Sequence, residues 1–450
     1  MASQASQKKV YPEPLGSARD ELRRRVRVRI APSPTGFAHV GTAYTALFNY
    51  AFARKNKGKF VLRLEDTDVK RQVKGAEQAI YDGLSWLGLG WDEGPDKGGK
   101  YGPYRQSERL DIYKKRVQKL IEKDLAYQDE GAVKFKSKFK SKEKVGWNDL
   151  IRGKIEFPAS EVGDFVLLKS NGYPTYNFAV VIDDSLMKIS HVIRAEEHIS
   201  NTPRQIVLYK ALGFDKPEFA HFPLLRNEDK SKISKRKNPV SLSWYKKQGY
   251  LPGALINFLC LLGWSHPEEK EIFDLKEFVE KFSLGRVRKA GPVFNLKKLD
   301  WMNGEYIRKT QNVKLKTQIF EFFSKKYSEE KIEEILPLVK DRIKTLKEFE
   351  SLAGFFFKAR KPKPGIFEKD YKKHIRALIK TLENTESWEG KNIDKILFGL
   401  VDKNGFHTGG FFMNLRVAIT GSRFTPPINE SIVILGREET ISRLKSILSN

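Results

Sequence analysis

RVRVRIAPSPTGFAHVGT, residues 25–42, runs from an alternating stretch into a loop crowded with prolines and glycines. In RVRVRI the apolar Val26, Val28 and Ile30 share one side, the period-two mark of a strand. Pro32 and Pro34 then fix the backbone, while Gly36 and Gly41 let a ligand approach the main chain. GTAYTALFNYAFARKNKG (41–58) has helical apolar spacing and closes on basic residues and Gly58. KFVLRLEDTD (59–68) reads as a second strand ending in acids. Strand, loop, helix, strand opens a parallel α/β sheet, in which ligands sit at the carboxyl ends of the strands. His39 stands just before the helix. It either donates a hydrogen bond to a phosphate held at that N-terminus or is a structural histidine. Neither GxxxxGK[ST] nor GxGxxG follows the first strand, which excludes a P-loop NTPase and a usual dinucleotide enzyme.

The bulk of the chain narrows the class. At 450 residues it has room for two or more packed domains. The longest apolar run, LINFLCLLGW at 255–264, is too short to span a bilayer and reads as a buried helix. Residues 1–24 lack an apolar core and read as a flexible arm rather than a secretory signal. The single cysteine, Cys260, excludes a disulfide framework and a Cys-based metal site, and seven scattered histidines show no ligand spacing. Cytoplasm is the expected compartment. Lys and Arg total 83 against 56 Asp and Glu, a net charge of +27. That excess serves either solubility or a polyanionic partner such as nucleic acid.

Further along, GAVKFKSKFKSKEKVGW (131–147) carries lysine at every even position from 134 to 144, with Val133, Phe135 and Phe139 on the other parity. A strand would put lysines on one face and apolar residues on the other. Lys134, Lys136 and Lys138 then form either a phosphate-binding face or a solvated edge guarded against aggregation. Sheet character is expected at 164–170, at NGYPTYNFAVVIDD (171–184) and at KISHVIRAEEHI (188–199). From about residue 311 the chain reads as a separate helical domain.

Several side chains suit a small ligand bearing carboxylate, amine and phosphate groups. Three lysines, two serines and an arginine surround Ile233 in SKISKRK (231–237), either a solvated loop or a phosphate clamp. Glu65, at a strand end, offers a carboxylate to an amine. Arg29 and Arg194 offer forks to carboxylates, which lysine cannot match. Arg194 could equally pair with Glu196 or Glu197, and Tyr176 could cover a ligand or fill the core.

The stretches APSPTGFAHVGT, RLEDTD, GPYRQSER, LLKSNGYPTYNFA, VIRAEEHISNTP, PLLRNEDKSKISKRK and GPVFNLKKLDWMNGEYI, in that order, resemble bacterial-type glutamyl-tRNA synthetases of class I. The resemblance is strong over about 26–310 and weaker to the C-terminus. HVGT and RLEDTD separate the chain from the glutaminyl relatives. It implies an α/β fold: a Rossmann-like parallel sheet with a short acceptor-end insert, followed by an all-α anticodon-binding region. The implied divisions are an arm at 1–24, catalytic halves at 25–107 and 166–242 around the insert at 108–165, a stem-contact region at 243–310 and the helical domain at 311–450.

It also implies roles. His39, Gly41, Thr42, Lys232, Ser234 and Lys235 would meet ATP, with His39 and Lys235 stabilising charge on the α-phosphate. Arg29, Ala31, Ser33, Glu65, Tyr176 and Arg194 would line a glutamate pocket, Arg194 on a carboxylate and Glu65 on the amino group. The implied partners are L-glutamate, ATP with Mg2+, and the glutamate tRNA, with no membrane; the chain is expected to be a monomer. Because the insert has no cysteines, no structural zinc is expected. Lys134, Lys136, Lys138 and Lys340 would contact tRNA. Lys340 stands where some relatives use an arginine to tell apart anticodons ending in C and G, so charging of the glutamine tRNA stays open. A non-catalytic tRNA-binding paralogue is disfavoured by the two intact ATP motifs.

Overall fold

The computed structural model describes residues 26–139, 142–231, 233 and 239–449. Two compact units result: one holds the described residues up to Ser243 together with Ile256–Phe294, the other Trp244–Leu255 and Asn295 onward.

In the first unit β1 (Arg27–Ile30) leads through the Pro/Gly loop into α1 (Val40–Lys55) and back to β2 (Lys59–Leu62), which pairs parallel to β1. Gly58 makes that return possible, since a Cβ there would sit 2.3 Å from the Val26 carbonyl oxygen. Next come α2 (Ala76–Trp86) and α3 (Leu110–Glu122), then β3 (Ala126–Asp129), β4 (Ala132–Phe135), β5 (Lys144–Asp149), β6 (Gly153–Pro158) and β7 (Phe165–Leu168). These lead to α4 (Tyr176–Leu186), β8 (His191–Ala195), α5 (Thr202–Leu212) and β9 (Glu218–Phe222). Strands β8 and β9 are parallel, with Arg194 opposite His221. At the foot of β8, Ser190 N donates to Arg27 O at 2.9 Å, which carries the sheet on to β1. One parallel pairing, Asp149 with Phe219, hangs the β5–β6 hairpin on β9. A separate antiparallel sheet, β3–β4–β7, packs with α3 and α4 around Tyr113, Phe135, Phe165 and Phe178.

Two expectations need correction. NGYPTYNFAVVIDD is a helix rather than sheet: α4 starts at Tyr176 and buries every residue from Phe178 to Asp184. Buried nearly all round, it shows a continuous apolar run, which periodicity cannot separate from a central strand. The lysine stretch is not one strand either. β4 ends at Phe135, and the Ser137 N–H leaves the ladder for the Asp164 carboxylate at 2.7 Å.

After α6 (Leu242–Gln248) and α7 (Pro252–Gly263), α8 (Leu275–Lys281) closes the first unit's sequence. The second unit is helical, as the tail's composition predicts: α9 (Leu296–Lys309), α10 (Asn312–Phe322), α11 (Glu329–Val339) and α12 (Glu348–Ala353), then α13 (Tyr371–Glu383), α14 (Gly390–Asn404), α15 (Thr408–Thr420), α16 (Ile428–Leu435) and α17 (Arg437–Leu448). It holds two apolar clusters. One gathers Ile307, Ile319, Ile335 and Phe349, the other Leu378, Leu397, Phe411 and Leu444.

Candidate active site

His39 is the N-cap of α1. Its backbone is extended (φ −126°, ψ 168°), and Nδ1 accepts from the N–H groups of Gly41 at 3.1 Å and Thr42 at 3.2 Å. An acceptor Nδ1 puts the neutral ring's proton on Nε2. The exposed imidazole is thus a donor at the mouth of a helix N-terminus. The loop is strapped to the chain that follows SKISKRK: Val40 N donates to Val240 O at 2.8 Å and Leu242 N to Ala38 O at 3.0 Å. On the other flank Ile233 N meets Leu225 O at 3.1 Å. Lys232, Ser234 and Lys235 lie outside the described residues.

Beside that loop a chain of alternating charge runs through the interior. Arg29, buried on β1, sets Nε 3.1 Å from Asp184 Oδ1 and Nη2 3.3 Å from Oδ2. Asp184 Oδ1 also accepts from Arg63 Nη1 at 2.7 Å, and Arg63 Nη2 donates to Glu65 Oε1 at 3.1 Å. Removing one member of such a buried set leaves an uncompensated charge. The neighbouring Asp183 is satisfied separately by Arg109 Nε (2.7 Å), Gln106 (2.9 Å) and Tyr113 (2.9 Å). Glu65 N donates to Pro32 O at 3.0 Å, between Ala31 and Ser33, so three expected pocket residues meet at one spot. Burial pushes the Glu65 carboxyl up, against the pull of Arg63 and Arg29.

Arg194 differs from the other buried arginines. Its Nε donates to His221 Nε2 (3.0 Å), Nη1 to Tyr176 Oη (3.3 Å), and Nη2 to Thr202 Oγ1 (2.9 Å) and Gln205 Oε1 (2.7 Å). Every one of these acceptors is uncharged. The neighbours weighed from sequence are not among them; Glu196 pairs instead with Arg152 at 2.5 Å. Burial consequently pulls the Arg194 pKa down. Tyr176, the first residue of α4, feels burial first, then the charges of Arg194, Glu65 and Arg29. The same region therefore holds a buried guanidinium with neutral partners, a carboxylate bonded to the loop through its backbone, and the phenol of Tyr176, which feels the charges of both.

Sequence reasoning missed Arg63, Asp184, Asp149 and His221. The signals were the arginine inside RLEDTD, the acidic doublet closing an apolar run, and a histidine set in FAHF. The lysines are less free than their spacing suggests. Lys136 and Lys138 both reach Asp124 at 2.7 Å, their hydrogen bonds holding that carboxyl down at about 2. Lys134 pairs with Asp129. In the second unit Lys340 Nζ donates to Thr310 O at 2.6 Å and Asn312 Oδ1 at 2.8 Å.

A parallel sheet and a histidine-capped helix, its loop strapped to Val240 and Leu242, fit the core of a class I aminoacyl-tRNA synthetase. The family model for class I tRNA synthetases (E and Q), catalytic domain, matches residues 25–133 and 130–301, and an anticodon-binding-domain model matches 308–448. The chain is 42% identical to the glutamate--tRNA ligase of Acidothermus cellulolyticus, over 93% of this chain and 95% of that one. It is 41% identical to a glutamate--tRNA ligase of Thermus thermophilus, over 94% and 100%. The crystal structure of a glutamate tRNA ligase from Elizabethkingia meningosepticum in complex with its amino acid superposes with a TM-score of 0.82 at 32% identity, covering 95% of this chain and 99% of that one. The chain belongs to the glutamate and glutamine branch of the class I tRNA synthetases.

Proposed function

We propose that the chain is a glutamate–tRNA ligase that activates L-glutamate with MgATP and transfers it to the 3′ end of the glutamate tRNA. The observation that carries this reading is Arg194: a buried guanidinium hydrogen-bonded only to neutral acceptors is a site for a carboxylate. Glu65 faces the substrate ammonium. Arg29 adds positive potential, and Ala31, Ser33 and Tyr176 complete the walls.

In the first step a carboxylate oxygen of glutamate attacks the α-phosphorus of ATP and pyrophosphate leaves, giving glutamyl-adenylate. In the second, the terminal ribose hydroxyl of the tRNA attacks the acyl carbon and AMP leaves. The protein aligns the reactants and stabilises charge on the α-phosphate. His39 supplies its Nε2–H, and α1 its N-terminal dipole together with the Gly41 and Thr42 turn. Lys232, Ser234 and Lys235 supply the second set of donors. In support, Lys235 is five residues from Val240, whose carbonyl is bonded to the residue after His39. Lys134, Lys136, Lys138 and Lys340 serve the tRNA. The same reading has the enzyme act in the cytoplasm as a monomer and leaves the glutamine tRNA as a second acceptor to be tested. Among the described residues no helix is long and apolar enough to cross a membrane.

The test is charging of purified glutamate tRNA by the intact protein and by His39→Ala and Lys235→Ala. Losing one such electrostatic donor slows adenylate formation about 10²–10³-fold. Near-normal rates in both folded variants contradict these roles.

A further inference from the structure

Arg194 is aimed by a pair of side chains that neither the sequence motifs nor the proposed mechanism uses. His221 lies opposite it on β9, and Asp149 at the end of β5 lies behind His221. Asp149 Oδ1 accepts from the N–H groups of Ile151, Arg152 and His221, each at 3.1 Å. Its Oδ2 meets His221 Nδ1 at 2.5 Å and Trp147 Nε1 at 3.3 Å. A carboxylate surrounded by N–H donors stays ionised, so the ring proton sits on Nδ1 and the Nε2 lone pair points at Arg194 Nε, 3.0 Å away.

Among the described residues one other polar group approaches that lone pair. Thr202 Oγ1 lies 3.3 Å from Nε2, but its single hydroxyl proton goes to His198 O at 3.0 Å. The Asp149 hydrogen bond holds the ring, which lies parallel to Phe219 at 6.2 Å between ring centres and edge-on to Trp147 at 6.1 Å. Both His221 and Asp149 are sealed from solvent. The charged groups that face the imidazole are Asp149, Arg194 and Arg152, whose Nε donates to His221 O at 3.0 Å. Burial lowers the imidazole's pKa and keeps it neutral at pH 7.

We propose that Asp149 and His221 are positioning residues for amino-acid recognition: the carboxylate fixes the imidazole tautomer, and the imidazole fixes Arg194 in the orientation that receives a substrate carboxylate. Because Asp149 ends β5 and Arg152 lies in the turn to β6, this gives the hairpin a part in the pocket's specificity. The proposal rests on Arg194 binding the amino acid.

Asp149→Asn separates positioning from packing. The amide has the same shape and can keep its oxygen on the three backbone donors, but it then turns an N–H₂ to Nδ1. The ring proton moves to Nε2 and meets Arg194 Nε–H donor to donor. His221→Leu removes the acceptor. His221→Gln returns an oxygen near the place of Nε2. Charging of glutamate tRNA is measured at varied glutamate and at varied ATP, with thermal melting alongside. For Asp149→Asn and His221→Leu the expected result is a KM for glutamate raised about tenfold or more. The KM for ATP and kcat stay within a few-fold, the pattern of lost substrate binding, and His221→Gln recovers most of the loss. Arg194→Gln is the control for the underlying reading. If it raises the KM for glutamate while folded Asp149→Asn and His221→Leu do not, the positioning proposal is overturned and the pocket stands. Losses confined to melting temperature or kcat also overturn it. If Arg194→Gln itself leaves the KM unchanged, the pocket reading fails first.

Discussion

A Cβ built on Gly41 would lie 3.0 Å from both Cε1 and Nδ1 of His39. Glycine at this position keeps the imidazole tucked onto the helix end, whereas Gly36 has open space around it. Gly41→Ala is therefore expected to swing the ring aside and slow charging by about 10–100-fold, the scale of an ångström's misplacement. The melting temperature should hardly move; steady-state charging and a thermal melt check both. Asp184 is the opposite case. Asp184→Asn strips the shared counter-charge from Arg29 and Arg63, so the fold should lose about 3–5 kcal/mol in denaturant unfolding, and a loss below about 1 kcal/mol contradicts the buried chain. At this scale the sequence showed places rather than roles: His39 before a helix and Glu65 past a strand end, while the acids beside Arg194 suggested partners that it does not have. Asp149, His221 and Asp184 were hidden because their partners come from other strands and helices. In the linear sequence a histidine within FAHF reads as core.

The elements divide the same way. β1, its loop and α1 were readable because strand alternation, proline and glycine, and helical spacing all agree over thirty residues. NGYPTYNFAVVIDD misled because full burial erases the amphipathic signal, leaving its β-branched and aromatic content to suggest a strand. The lysine stretch misled because alternation mimics the strand period even where the ladder stops at Phe135. The outcome for tRNA is measurable. Replacing Lys134, Lys136 and Lys138 together by Gln should reduce the slope of log affinity against log salt by about 0.7–0.9 for each phosphate that these lysines neutralise. An unchanged slope means that Asp124 and Asp129 already absorb these charges and that the segment is a solvated edge.

Over the whole molecule, the change of composition near residue 311 announced a helical second part, while the excess of 27 positive charges left solubility and a polyanionic partner equally open. Each unit has its own core, and the second unit's includes Leu251 and Ala254, so the structural division differs from the break between the two family matches at 301 and 308. The central claim of the proposed function concerns charge: Arg194 is a buried guanidinium hydrogen-bonded only to neutral acceptors, which suits an amino acid with two carboxylates rather than one. The direct measurement is competitive charging, with the intact protein, ATP and purified glutamate tRNA offered glutamate and glutamine in turn. Transfer of glutamate with negligible transfer of glutamine is the predicted result. Comparable kcat/KM for the two amino acids would contradict the pocket described for Arg194, Arg29 and Glu65.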